Sequence, residues 1–175
     1  MEPTDILVTS KKIAWTIGNF SSLKTNAPHY SDPFTAGHCS WKVAIYRGLE
    51  DEKYLGIFLC VADTSTLPQG WSIDAYLTIM VINQISSQKS YAKGLRHKFR
   101  AHEHVRGFRS FMDLTELQDP SSGYILNDYL TVEVEFLELK SESVQPSPLA
   151  NPTDDEALSV DFKDLGQIER PWCHS

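Results

Sequence analysis

Cysteine is scarce and scattered in this chain: Cys39, Cys60 and Cys173 are the only three in 175 residues. An odd number, far apart and without a C-x-x-C pair, suggests neither a disulfide framework nor a cysteine-based zinc site. Long apolar runs are missing as well. No stretch approaches the ~18 uninterrupted apolar residues that span a bilayer, and Met1 to Ser10 lacks the basic-then-apolar layout of a signal peptide. An intracellular setting, cytoplasmic and/or nuclear, is therefore expected, with no membrane partner. Bases are outnumbered, 16 Lys and Arg against 23 Asp and Glu, for a net charge of −7. Displacing counterions from nucleic-acid phosphates takes an excess of clustered Lys and Arg, so nucleic acid is not the expected partner.

Catalytic signatures are missing too. There is no Gly-x-Ser-x-Gly elbow, no His-Glu-x-x-His pair and no Gly-rich phosphate loop. The acid runs Glu50-Asp51-Glu52 and Asp154-Asp155-Glu156 read as solvated loops. His97, His102 and His104, with His38-Cys39, have a spacing that invites a metal, yet His102-Glu103-His104 brings no fourth ligand with it. The expectation is a non-enzyme with no cofactor and no metal.

What is present is the pattern of a folded all-β protein. Hydrophobic residues make up 41% and charged residues 22% of the chain, close to the average for globular domains. Short runs of β-branched and aromatic residues alternate with Pro, Gly, Asn, Asp and Ser clusters. Lys12 to Ile17 places Ile13, Trp15 and Ile17 on one strand face, because side chains flip at every residue. Ser40 to Tyr46 does the same with Trp41, Val43 and Ile45, and Tyr54 to Val61 with Leu55, Ile57, Leu59 and Val61. Ala75 to Ile82 is apolar on both faces, as in a strand covered on each side or one that meets a partner. Tyr129 to Leu139 alternates Leu130, Val132, Val134 and Phe136 with Thr131, Glu133 and Glu135, so its outer face is wet. Between Gly107 and Glu116, the spacing of Phe108, Phe111, Met112 and Leu114 suits a short helical turn.

The organisation expected is an N-terminal tail over 1–9, one domain over 10–140 and an acidic, Pro- and Ser-containing flexible tail over 141–175. From Ser141 onward seven acids face Lys163 and Arg170. Like charges and prolines keep such a segment from packing. Val160, Phe162, Leu165, Ile168 and Trp172 then form either a frayed terminus or a patch that docks, the chain's own groove being one place for it.

Four blocks resemble the MATH (meprin and TRAF homology) family, in that family's order. Ile13-Ala14-Trp15-Thr16-Ile17-Gly18-Asn19-Phe20-Ser21 resembles its W-x-I-x-N-F-S start, and Tyr54-Leu55-Gly56-Ile57-Phe58-Leu59 its Y-L-S-L-Y-L strand. Gly107-Phe108-Arg109-Ser110-Phe111 is similar to its G-F-x-x-F element, and Leu126 to Val134 to its closing strand. Leu67-Pro68-Gln69-Gly70-Trp71-Ser72 resembles a run in plant TRAF-like members. The resemblance implies an all-β fold, an eight-stranded antiparallel β-sandwich, whose shallow groove takes an extended segment of a protein partner. It also implies a substrate-recognition or adaptor role in ubiquitin-linked or signalling assemblies. The alternatives are an oligomerisation module of a TRAF-like assembly or the targeting domain of a ubiquitin-specific protease.

Carried over from the speckle-type POZ adaptors of the family, the peptide-binding groove falls on Phe58, Leu77, His97, Arg106, Gly107 and Phe108. Phe58 sits opposite Leu55, Ile57 and Leu59, and so is either an exposed contact or a covered ring. Leu77 is placed by anchoring on Asn83. Gly107 is expected to let backbone approach the peptide closely. The family's D-W-G-F reads Val105-Arg106-Gly107-Phe108 here, so Arg106 stands where a Trp is usual. It is either a solvated base or a partner for an acidic or phosphorylated peptide.

Overall fold

The computed structural model describes residues 5–8 and 11–143. Its strands are β1 (Asp5–Val8), β2 (Lys11–Ile17), β3 (Pro28–Tyr30), β4 (Phe34–Ala36), β5 (Cys39–Gly48), β6 (Tyr54–Ala62), β7 (Trp71–Val81), β8 (Tyr91–Arg100), β9 (Val105–Asp113), β10 (Ile125–Leu126) and β11 (Tyr129–Ser143). Eight of these have four residues or more, the number that the resemblance implies; β3, β4 and β10 are two- or three-residue additions. Two antiparallel sheets form. One runs β1-β11-β7-β8, with β2 and β10 also on β11; the other runs β3-β5-β6-β9, with β4 on β5.

The alternation read from the sequence becomes the core. Trp41, Val43 and Ile45 of β5, Leu55, Ile57, Leu59 and Val61 of β6, and the odd-numbered residues of β7 from Ile73 to Val81 are all buried. Leu130, Val132, Val134 and Phe136 of β11 join them, while Ile17 of β2 closes one end. Trp41 sits at the centre, edge-on to Phe99 at 5.2 Å and tilted against Phe136 at 5.0 Å. Its indole nitrogen donates to the Ala36 carbonyl at 2.9 Å, so the ring is buried without stranding its donor. β7 is covered on one face only: Tyr76 is exposed on the other, with Thr78 and Met80 half-buried beside it.

β9 departs from expectation. Residues 107–113 form a strand and not a helical turn, and the helix begins at Leu114 and ends at Gln118. Its register against β6 shifts between Leu55↔Met112 and Ile57↔Phe108, a bulge that turns Phe108 and Phe111 both toward the core. Two inward aromatics three residues apart look like a helix in sequence. The Asp113 carboxylate caps the helix by accepting from the Thr115 N–H at 2.9 Å.

The β7–β8 loop is fastened by Asn83, which is buried. Its side-chain oxygen accepts from the N–H groups of Ile85 and Ser86, and its amide donates to the Ser122 carbonyl at 2.7 Å. Ser141 to Ser143, assigned to the tail in the sequence, continue β11, and residues 5–8 pair with it. The rest of the expected tail, with Phe162 and Trp172, lies outside the described residues.

Candidate functional site

β8 and β9 are the last strands of their sheets, and they lie side by side because one tight turn, Arg100 to Glu103, joins them. No strand among the described residues pairs with the far edge of either. The sandwich is thus open along one side, where two strand edges flank a seam.

Facing pairs tell which side chains line that seam, since residues opposite one another in an antiparallel ladder share a face. Phe108 faces Ile57 and Arg106 faces Leu59, so both point to the inner side of β9. On β8, Leu95 faces Leu77 and His97 faces Ala75, which turns them inward as well. Leu95, His97, Arg106 and Phe108 are each half-buried, as expected of a seam wall. Lys93 bridges the strands: its ammonium donates to the Ser110 carbonyl at 3.1 Å and lies 5.2 Å from the Phe108 ring centre and 5.5 Å from that of Phe111. His97 stands edge-on to Phe99 at 4.6 Å, with Nε2 3.3 Å from the Glu103 carbonyl.

The six residues that the sequence singles out therefore fall around β9 without forming one open surface. His97, Arg106 and Phe108 border the seam. Leu77, opposite Leu95 on the neighbouring strand, is fully buried and belongs to the core, not to the seam wall. Phe58 does point away from Leu55, Ile57 and Leu59, but it is only 1% exposed. It stacks edge-on against Tyr46 at 5.8 Å in a second small cluster with Ala44, Leu49, Cys60 and Val105. Of the two readings open for Phe58, the structure gives the covered ring. Gly107 faces Phe58, and a side chain there would strike the Ile57 carbonyl oxygen and the Phe58 backbone. The close approach that requires glycine is to β6.

Lys93 and Leu95 lack any motif that would have marked them in the sequence. Nor does the net charge of −7 reveal how the charges are distributed. Between Tyr91 and Met112 stand Lys93, Arg96, Lys98, Arg100, Arg106 and Arg109, with Glu103 as the one acid. Glu103 is buried at the turn, and Arg109 is engaged by Glu50, 2.6 Å from its Nε. The hairpin is a basic edge on an acidic chain.

The described residues hold no group of three His, Cys, Asp or Glu able to bind a metal, and no helix among them is long and apolar enough to cross a membrane. Burial pushes the Cys39 thiol up from its ordinary range, the reverse of what an activated nucleophile requires.

Comparison with known proteins identifies the family and the fold. The family model for the MATH domain matches residues 12–136. Ubiquitin C-terminal hydrolase 12 of Arabidopsis thaliana is 43% identical over 124 residues, which is 71% of this chain but 11% of that protein. Ubiquitin C-terminal hydrolase 13 of the same plant is 40% identical over 126 residues, again 11% of its length. The MATH domain and coiled-coil domain-containing protein At3g58200 is 33% identical over 77% of this chain and 45% of its own. The chain thus spans about a tenth of the two hydrolases. Among solved structures, TRAF5 of Notothenia coriiceps superposes with a TM-score of 0.56 at 17% identity, covering 80% of this chain and 77% of that one.

Proposed function

The chain belongs to the MATH-domain family, a non-catalytic protein-interaction fold, and on that premise we propose that it captures extended segments of partner proteins along the open edge of β9. The observation that carries this reading is the open strand edge beside a half-buried, cationic and aromatic seam. An extended peptide would add as a strand to β9, its main chain meeting N–H and C=O groups along that edge. Alternate side chains would enter the seam between His97, Arg106 and Phe108. Phe58, Leu77 and Gly107 support this site from behind by fixing the path of β9. With Arg106 and Lys93 at the seam, the segment preferred is acidic or phosphorylated. The setting is the cytoplasm or nucleus.

A peptide array, followed by titration of the best binder against Arg106→Glu and Phe108→Ala, tests the reading. Removing a buried anchor costs about 2 kcal/mol or more, roughly 30-fold in Kd. Affinity unchanged in both variants would sink the assignment.

The 43% identity to ubiquitin C-terminal hydrolase 12 favours a ubiquitin-linked assembly as the context, with this domain choosing what such an assembly acts on. The competing structural role is oligomerisation, and light scattering that showed a concentration-independent trimer would favour it instead.

A further inference from the structure

Among the described residues, Lys12, Arg96, Arg109 and Lys140 each have a carboxylate within 4.0 Å, and Lys93 has none that close. Its ammonium is held by other means. It donates to the Ser110 carbonyl at 3.1 Å, and the ring centres of Phe108, Phe111 and Tyr91 lie 5.2, 5.5 and 5.9 Å away. Rings at that range and one carbonyl fix a cation in place without neutralising it. An ammonium carries three donors, and Ser110 takes one. The side chain is half-buried and its hydrogen bond is open to solvent, so an incoming anion can reach it.

The regular edge of β9 stops at the same place. Arg109, Ser110 and Phe111 stand opposite Gly56 alone, between the pairs Ile57↔Phe108 and Leu55↔Met112, and a bulge of this kind breaks the ladder. The Ser110 carbonyl is also taken by Lys93, which crosses from β8 to reach it. A strand added to β9 therefore finds regular main-chain partners from Val105 to Phe108 and then runs into a cation. Arg106 lies four residues before Ser110, roughly 13 Å along an extended strand, so the two bases meet different residues of a ligand. Alternate residues of an extended ligand share a face and stand about 7 Å apart. The Lys93 nitrogen is 5.2 Å from the Phe108 ring centre. One ligand side chain can thus pack on Phe108 while the next on the same face meets Lys93.

We propose that Lys93 is the specificity-determining residue of the seam: it selects one acidic or phosphorylated side chain in the bound segment, two residues from the side chain that packs on Phe108. This deepens the peptide reading and rests on it. The chemistry required is an anionic oxygen that accepts a charge-assisted hydrogen bond, on a carboxylate or a phosphate monoester. Because the rings and Ser110 already hold the ammonium, little further ordering of the side chain opposes binding. An apolar ligand residue at that position would cover the ammonium without giving its remaining donors a partner, which is unfavourable. The seam therefore responds to where the acid stands and not to the total charge of the segment.

A positional scan against the full chain tests the assignment. The probes are seven-residue peptides on a Ser/Thr background with one Phe at the centre, each carrying a single glutamate or phosphoserine at a different position, and Kd is read by fluorescence anisotropy. The expected result is one favoured position, two residues from the Phe, where the acid tightens binding about tenfold over the acid-free parent, the size of one charge-assisted hydrogen bond. Lys93→Gln should bring that ratio close to one, and Lys93→Arg should restore it. A gain spread evenly over all positions, or a preference that survives Lys93→Gln, would overturn the assignment and leave the peptide reading in place. Binding that Arg106→Glu and Phe108→Ala both leave unchanged would remove the peptide reading itself. If no peptide of the set bound the wild type, both would fall.

Discussion

Single atoms decide what is permitted at Gly107. A methyl group there would meet the backbone of Ile57 and Phe58, and main chain cannot rotate aside as a long side chain can. Gly107→Ala should therefore cost about 2 kcal/mol or more, as overpacking does. At the opposite extreme, a methyl group on Gly94 would find nothing within 4 Å, so Gly94→Ala should shift stability by no more than about 0.5 kcal/mol. Urea denaturation of the two variants checks the contrast, and equal losses would refute the packing account. Phe58→Ala belongs with Gly107→Ala, because the buried ring leaves a cavity worth about 3–5 kcal/mol. Peptide binding lost in that variant would report unfolding before it reported a groove. Cys39 supplies a pH dependence. Burial raises the pKa of its thiol, so the unfolded chain releases this proton at lower pH than the folded one. The contribution is fully present below the unfolded pKa and is lost as pH rises through the folded value. As pH rises above the ordinary thiol pKa of about 8.5, the wild type should lose more stability than Cys39→Ala.

Elements were legible where one rule acted alone. The alternation in β2, β5, β6 and β11 locates those strands to within a few residues, because each sets one face into the main core with a period of two, although Phe58 and Cys60 bury the other face of β6 as well. β9 escaped because two rules overlap there: a bulge resets the phase between Phe108 and Met112, and aromatic spacing of three then imitates a helix. For Phe58 the sequence gives the correct face but not whether the ring is contact or core, since alternation reports the face and not what covers it. The β5–β6 connection is a solvated acid run in the sequence, and it hides a backbone feature. Glu50, Asp51 and Glu52 are all left-handed, with φ of 56°, 62° and 65°, a region costing about 1–2 kcal/mol per residue for a side chain with a Cβ. Glu52→Gly should accordingly stabilise the protein, by about 1 kcal/mol after the entropy lost by glycine. A thermal midpoint unchanged or lowered in that variant would show that the turn carries no strain.

For the whole molecule, charge is segregated in a way that its sum conceals. A chain of net charge −7 would be expected to repel acidic ligands at long range, yet the hairpin carrying the open edge is basic. Which field an incoming peptide feels depends on distance. Beyond a Debye length, about 10 Å at 0.1 M salt, the acidic remainder is screened, and within it Lys93, Lys98 and Arg106 dominate. Added salt should then act differently on two ligands. For a peptide with three acids, raising salt from about 50 mM to about 500 mM removes the local attraction, and association should slow by about tenfold. For a neutral peptide of the same length, the rate should hold within about twofold. Stopped-flow association at the two salt concentrations, with Lys98→Gln as the control that weakens the first effect, separates them. Parallel salt dependence for both peptides would mean that the basic hairpin does not steer binding, and the preference for acidic segments would fall with it.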